Sequence, residues 1–194
     1  MEQIGEKVGF LTLIFTAISL GTSPHPVTLI LCYIIHEAGH ILCAKLVGAQ
    51  MKGIRLGTCH LSLSYDCSML SYGRELIVQM GGIAFNFVSA FIVALLPFLA
   101  GGVCDFFVLG SVSLGLMNLF PISILDGGGI LKTALSIFLP PSTADKISLY
   151  VSFGCALCMW LCSVYLQIIF SSNLSFFFIS VFLLVELCFS FCKE

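Results

Sequence analysis

Residues 34–44 read I-I-H-E-A-G-H-I-L-C-A, and in that run His36, Glu37 and His40 interrupt a stretch that is otherwise apolar or small. On a helix, positions i and i+4 share a face about 6 Å apart along the axis, so both imidazoles can reach one metal ion. Glu37 stands one step round from His36. That offset suits a carboxylate that works on a water at the metal without being a ligand, the logic of H-E-x-x-H. With 4 His in 194 residues, chance is a poor explanation of the pattern. A single buried histidine is more often a satisfied core residue, but two histidines and a glutamate inside an apolar span of this length are not. Ionisable groups cost at least about 2.5 kcal/mol each at mid-bilayer, so their default reading there is functional. The stretch reads as a zinc hydrolase site.

The elements that must position it are membrane spans. The chain is 59% hydrophobic and 9% charged, with mean hydropathy +1.11, whereas soluble domains carry about 25% charged residues. An integral membrane protein follows, and with no basic cluster a nucleic-acid partner is excluded. Most of the 10 cysteines lie in apolar stretches, where they act as small hydrophobes. Cys155, Cys158 and Cys162 follow helical spacing, yet no His or carboxylate lies near them in sequence, so they read as packing residues. Glu2 and Glu6 spoil a basic signal region, and the N-terminus reads as an uncleaved first span.

Between Lys7 and Glu37 nothing is charged, and Ser23-Pro24-His25-Pro26 divides the stretch into spans of about Val8 to Thr22 and Val27 to Val47. From Gln50 to Glu75 charge returns, and the alternation around Ile54, Leu56, Leu61 and Leu63 predicts two short strands. On such strands His60 and Asp66 read as solvated residues. A third span lies in the uncharged run Leu76 to Cys104. Within it Gly81 and Gly82 permit close helix approach, and Asn86 either joins two helices or faces the site.

A fourth span, Phe106 to about Leu119, leads into N-L-F-P-I-S-I-L-D-G-G-G, residues 118–129. Pro121 breaks the helix, and Gly127 to Gly129 permit backbone that a helix would forbid. Irregular backbone at membrane depth persists only in protein or beside a water-filled cavity, which singles out Asp126 as a functional carboxylate. An amphipathic stretch runs from Lys132 to Lys146, and two further spans fit in the uncharged run Ile147 to Val185, turning at Ser171-Ser172-Asn173. The expected fold is an all-α polytopic membrane protein. It has about six transmembrane helices and a short membrane-associated β-hairpin after the second. The chain, 1–194, reads as one domain with a core of about 27–131 and additional C-terminal helices of about 146–192.

With a cytoplasmic N-terminus, six spans put Lys7, Lys45, Lys52, Arg55, Arg74, Lys132, Lys146 and Lys193 all on the cytoplasmic side. These are all 8 basic residues of the chain. His40 lies five residues before Lys45 and Asp126 six before Lys132, so each is within about 9 Å of that boundary if helical. An open catalytic zinc site takes three protein ligands and a water, which makes Asp126 the best third ligand for His36 and His40.

H-E-A-G-H followed some eighty residues later by N-x-x-P-x-x-x-L-D-G resembles the site-2 protease family of intramembrane zinc metalloproteases. Gly48, the strand-like K-G-I-R-L, the R-E-L before the third span and Gly82-x-x-x-Asn86 resemble the family pattern in order and spacing, over about Tyr33 to Leu131. The resemblance implies Zn2+ held by His36, His40 and Asp126, with Glu37 as the catalytic general base. Asn86 and Asn118 match family asparagines near the site, where either could bind the substrate backbone or donate to the oxyanion. Six spans without PDZ or CBS domains look most like the branch that includes the stage IV sporulation protease. Ile83, Leu119 and Ser123 depart from the family, standing where prolines are usual.

The resemblance also implies a membrane-protein substrate, such as a membrane-tethered transcription-factor precursor or its regulator, cut within or near its transmembrane segment. It implies a bacterial cytoplasmic membrane as the setting, with both termini cytoplasmic and the active site near that face. Two readings from other classes are a metal transporter or sensor and an inactive substrate-binding relative. The first would need ligands at several depths, and the second has no need of Glu37.

Overall fold

The computed structural model describes residues 26–57, 60–66, 70–96, 101–170 and 174–191. Among these residues six helices and one hairpin follow in order: α1 (Pro26–Leu46), β1 (Gln50–Gly57), β2 (His60–Asp66), α2 (Tyr72–Ala94), α3 (Gly102–Leu119), α4 (Asp126–Phe138), α5 (Pro141–Phe170) and α6 (Leu174–Phe191). The span expected over 8–22 lies outside the described residues. Among the described residues four stretches are long and apolar enough to cross a membrane: Val27–Leu46, Tyr72–Ala94, Gly102–Leu119 and Pro141–Ile169. A shorter apolar stretch, Phe176–Cys188, lies in α6.

Side-chain distribution differs from that of a soluble protein, because polar residues share the apolar interior and many large apolar residues are exposed. Large apolar residues such as Ile30, Ile34, Phe91 and Leu109 are exposed, while Thr28, His36, Asn86, Ser111 and Ser152 are buried. In hydrocarbon no hydrophobic force drives helices together, so small side chains that let backbones approach, and polar ones that pair, make the contacts.

Two compact units divide the chain between Leu119 and Phe120. In the first, α1 packs on both α2 and α3, and α2 packs on α3. The α1–α2 crossing is set by glycine. A Cβ on Gly39 would come within 2.5 Å of the Gly81 carbonyl oxygen, and one on Gly81 within 2.7 Å of the Gly39 oxygen. Against α3, Cys32 packs with Phe107 and Leu114, and Ser111 Oγ donates to Cys32 Sγ at 3.2 Å. Gly48, at φ 77°, ends α1, and its N–H bonds the Lys45 carbonyl at 3.2 Å. The chain then enters the antiparallel hairpin, whose register pairs Ile54 with Leu63 and Leu56 with Leu61.

In the second unit α5 packs on both α4 and α6. Lys132 Nζ meets Asp145 Oδ1 at 2.8 Å between α4 and α5, and the Ser163 and Ser180 hydroxyls meet at 2.9 Å between α5 and α6. Two expectations are corrected here. Gly127, Gly128 and Gly129 are helical in α4, and the irregular backbone is 120–125. Gly128 answers a steric need: a Cβ there would strike Ile122 and Ser123 backbone atoms, so the loop lies directly on the first turn of α4. Helix α5 also starts earlier than Ile147, at Pro141, because proline favours a first helical position and Asp145 and Lys146 extend the helix beyond its apolar part.

Candidate metal centre

His36 and His40 stand on one face of α1, as their i, i+4 spacing requires, and their Nε2 atoms are 3.1 Å apart. Two nitrogens bound to one tetrahedral zinc at 2.0–2.1 Å are separated by about 3.3 Å, so the pair is poised to chelate. The rings reach this arrangement because Gly82 of α2 lies against them. A Cβ there would meet His40 Nε2 and come within 2.7 Å of His36 Cε1 and 2.8 Å of His36 Nε2.

Tautomers follow from what stands behind each ring. His40 Nδ1 is 2.8 Å from the Val78 carbonyl oxygen. A carbonyl only accepts, so Nδ1 carries the proton and Nε2 presents its lone pair. Behind His36 lies Asn86, its side-chain amide 3.1 Å from Nδ1. An imidazole that ligates through Nε2 carries its proton on Nδ1, and that proton calls for the amide oxygen. The structure sets Asn86 Nδ2 toward the ring and leaves the buried Oδ1 without a partner; a half-turn of the amide exchanges the two atoms and supplies that acceptor. Two lone pairs then face each other at 3.1 Å, an arrangement that repels without a cation and binds one well. The residues therefore fit a zinc ion.

Val78 and Asn86 hold the imidazoles as carboxylates or carbonyls commonly hold metal-ligating histidines. Asn86 is 0% exposed and His36 4%. The two alternatives left open for Asn86 resolve together, since it joins α2 to α1 by way of the site's own histidine. Val78 was not singled out in the sequence, and nothing could have singled it out, because its contribution is a main-chain oxygen. Glu37 is half-buried beside His36. Asn118, also half-buried, donates its amide to Leu114 O of its own helix at 3.0 Å, and the second amide hydrogen remains for another acceptor. In the second unit Asp126 is the first residue of α4, half-buried, directly after Leu125, whose backbone is extended and whose carbonyl accepts from Gly128 at 3.1 Å.

Comparison with known proteins gives three similarities. The profile of Peptidase family M50 matches residues 100–161. A Treponema pallidum (strain Nichols) protein named "Putative zinc metalloprotease" is 44% identical over 50 residues, which are 26% of this chain and 11% of that protein. The chain thus matches only a small part of that relative's length. Among solved structures, the site-2 protease from Methanocaldococcus jannaschii superposes with a TM-score of 0.66 at 22% identity, covering 95% of this chain and 86% of that one. The chain thus shares the fold of a site-2 protease and, over residues 100–161, the profile of Peptidase family M50.

Proposed function

We propose that this chain is an intramembrane zinc metalloprotease that hydrolyses a peptide bond within or near a transmembrane segment of a membrane-protein substrate. The observation that carries the reading is the pair of inward-facing Nε2 atoms with both Nδ1 positions engaged from behind. In this reading His36, His40 and Asp126 are the three protein ligands of the metal. Bound there, zinc would act as a Lewis acid, lowering the pKa of a water and polarising the scissile carbonyl.

The rest falls to the chain's own residues. Glu37, adjacent to a ligand but not one itself, accepts the proton of the attacking water and returns it to the leaving amine. Asn86, fully buried behind His36, acts as a positioning residue for that ring and not as an oxyanion donor. Asn118 keeps one donor hydrogen for a substrate carbonyl. Topology follows the basic residues, with both termini and the metal ligands toward the cytoplasm of a bacterial cell. Single-span proteins of that membrane, such as a tethered transcription-factor precursor or its regulator, are the proposed substrates, and the sporulation-type branch is the proposed relationship within the family.

Co-expression with candidate single-span proteins tests this directly. Wild type should convert one of them to a shorter product, and Glu37→Gln should accumulate it uncut while retaining zinc. Equal cleavage by Glu37→Gln would overturn the reading, and zinc loss without any substrate would favour a transporter or sensor.

A further inference from the structure

The loop that delivers Asp126 is tied to α5 by one side chain. Ser152 sits in mid-helix, 0% exposed, among apolar neighbours. Its Oγ accepts the Ser123 N–H at 2.9 Å, lies 3.2 Å from the Pro121 carbonyl oxygen and donates to Ser148 O at 2.6 Å. Residues 120–125 have no regular ladder, and their other backbone bonds are local: Ile122 N–H to Phe120 O, Leu125 N–H to Ile122 O, and the Gly128 and Gly129 N–H groups to Leu125 O. At membrane depth a backbone N–H outside a ladder needs a partner from the protein, and for Ser123 that partner is on α5. The constraint passes to the carboxylate in two short steps. Ile122 and Ser123 lie on Gly128 so closely that no Cβ fits between, and Gly128 belongs to the same first turn as Asp126.

We propose that Ser152 is a positioning residue for the metal site, fixing the 121–123 backbone and through it the approach of Asp126. The inference rests on Asp126 being the third ligand. Sequence alone gives no signal for it, because one serine in an apolar helix is ordinary. Ser148, one turn earlier and 3% exposed, is the matched control. It presents the same hydroxyl on the same face, and only its carbonyl enters the Ser152 cluster.

The test measures zinc affinity by chelator competition on purified full-length protein, together with the visible spectrum of the cobalt(II)-substituted form. Ser152→Ala should weaken zinc roughly tenfold, within the range for residues that orient ligands, and alter the cobalt bands. Ser148→Ala should do neither, and Ser152→Thr, which keeps the hydroxyl, should restore both. Should Ser152→Ala not yield folded protein, the nearly isosteric Ser152→Cys replaces it with the same expected direction. Wild-type affinity and spectrum in Ser152→Ala, or an equal loss in Ser148→Ala, would overturn the inference. Asp126→Ala separates the two readings. If it leaves zinc affinity unchanged, the ligand assignment fails; if it abolishes binding while Ser152→Ala does nothing, only the positioning role fails.

Discussion

At the scale of residues, the two histidines were legible from spacing alone, because a helix turns any i, i+4 pair of ligand types onto one face. What fixes their tautomers was not. The Val78 carbonyl carries no residue identity, and Asn86 could have served any helix contact until its partner was known to be His36. His36→Ala and His40→Ala should each reduce zinc content of the purified protein sharply, and the double variant should hold none by metal analysis. Asn86→Ala should leave the Nδ1 proton without its acceptor and lower zinc affinity by roughly 10- to 100-fold, whereas Asn86→Asp should retain more affinity than Asn86→Ala. Equal affinities for wild type and Asn86→Ala would remove the residue from the site.

At the scale of elements, charge-free runs marked where spans lie but not where helices begin or end. Pro141 starts α5 before its apolar part, and the glycines after Asp126 are helical because the need at Gly128 is for space. Sequence could name Gly81 and Gly82 as small, but only the crossing shows their division of labour: Gly81 meets Gly39, and Gly82 faces the imidazoles. Gly81→Ala should therefore destabilise the α1–α2 pair by about 1–3 kcal/mol, read as lower thermal stability. Gly82→Ala should displace the rings and lose zinc. The hairpin invites a further proposal, that an unwound substrate adds to it as a strand, since a sheet edge offers free N–H and C=O groups. Ile54, Leu56, Leu61 and Leu63 form two directly opposed pairs two residues apart, so all four belong to one hydrogen-bonding class. Proline at Ile54 must then be compared with proline at Arg55. The proposal expects cleavage to fall at one of the two positions only, with zinc intact; equal tolerance at both would sink it.

At the scale of the whole molecule, the exposed apolar helices and buried polar contacts make this an integral membrane protein. The orientation proposed for it rests on the placement of the basic residues that six spans would give. In intact cells an impermeant thiol reagent should label Cys104, in the first turn of the third described span, and leave Ser142→Cys, at the start of α5, protected; the opposite pattern would invert the topology. The most direct measurement of the central claim is mass spectrometry of a single-span substrate incubated in lipid with purified protein. Wild type should cut one peptide bond within or beside the span, and Glu37→Gln, at equal zinc content, should give no more than about 10⁻² of that product. Product from Glu37→Gln at the wild-type rate would contradict the account.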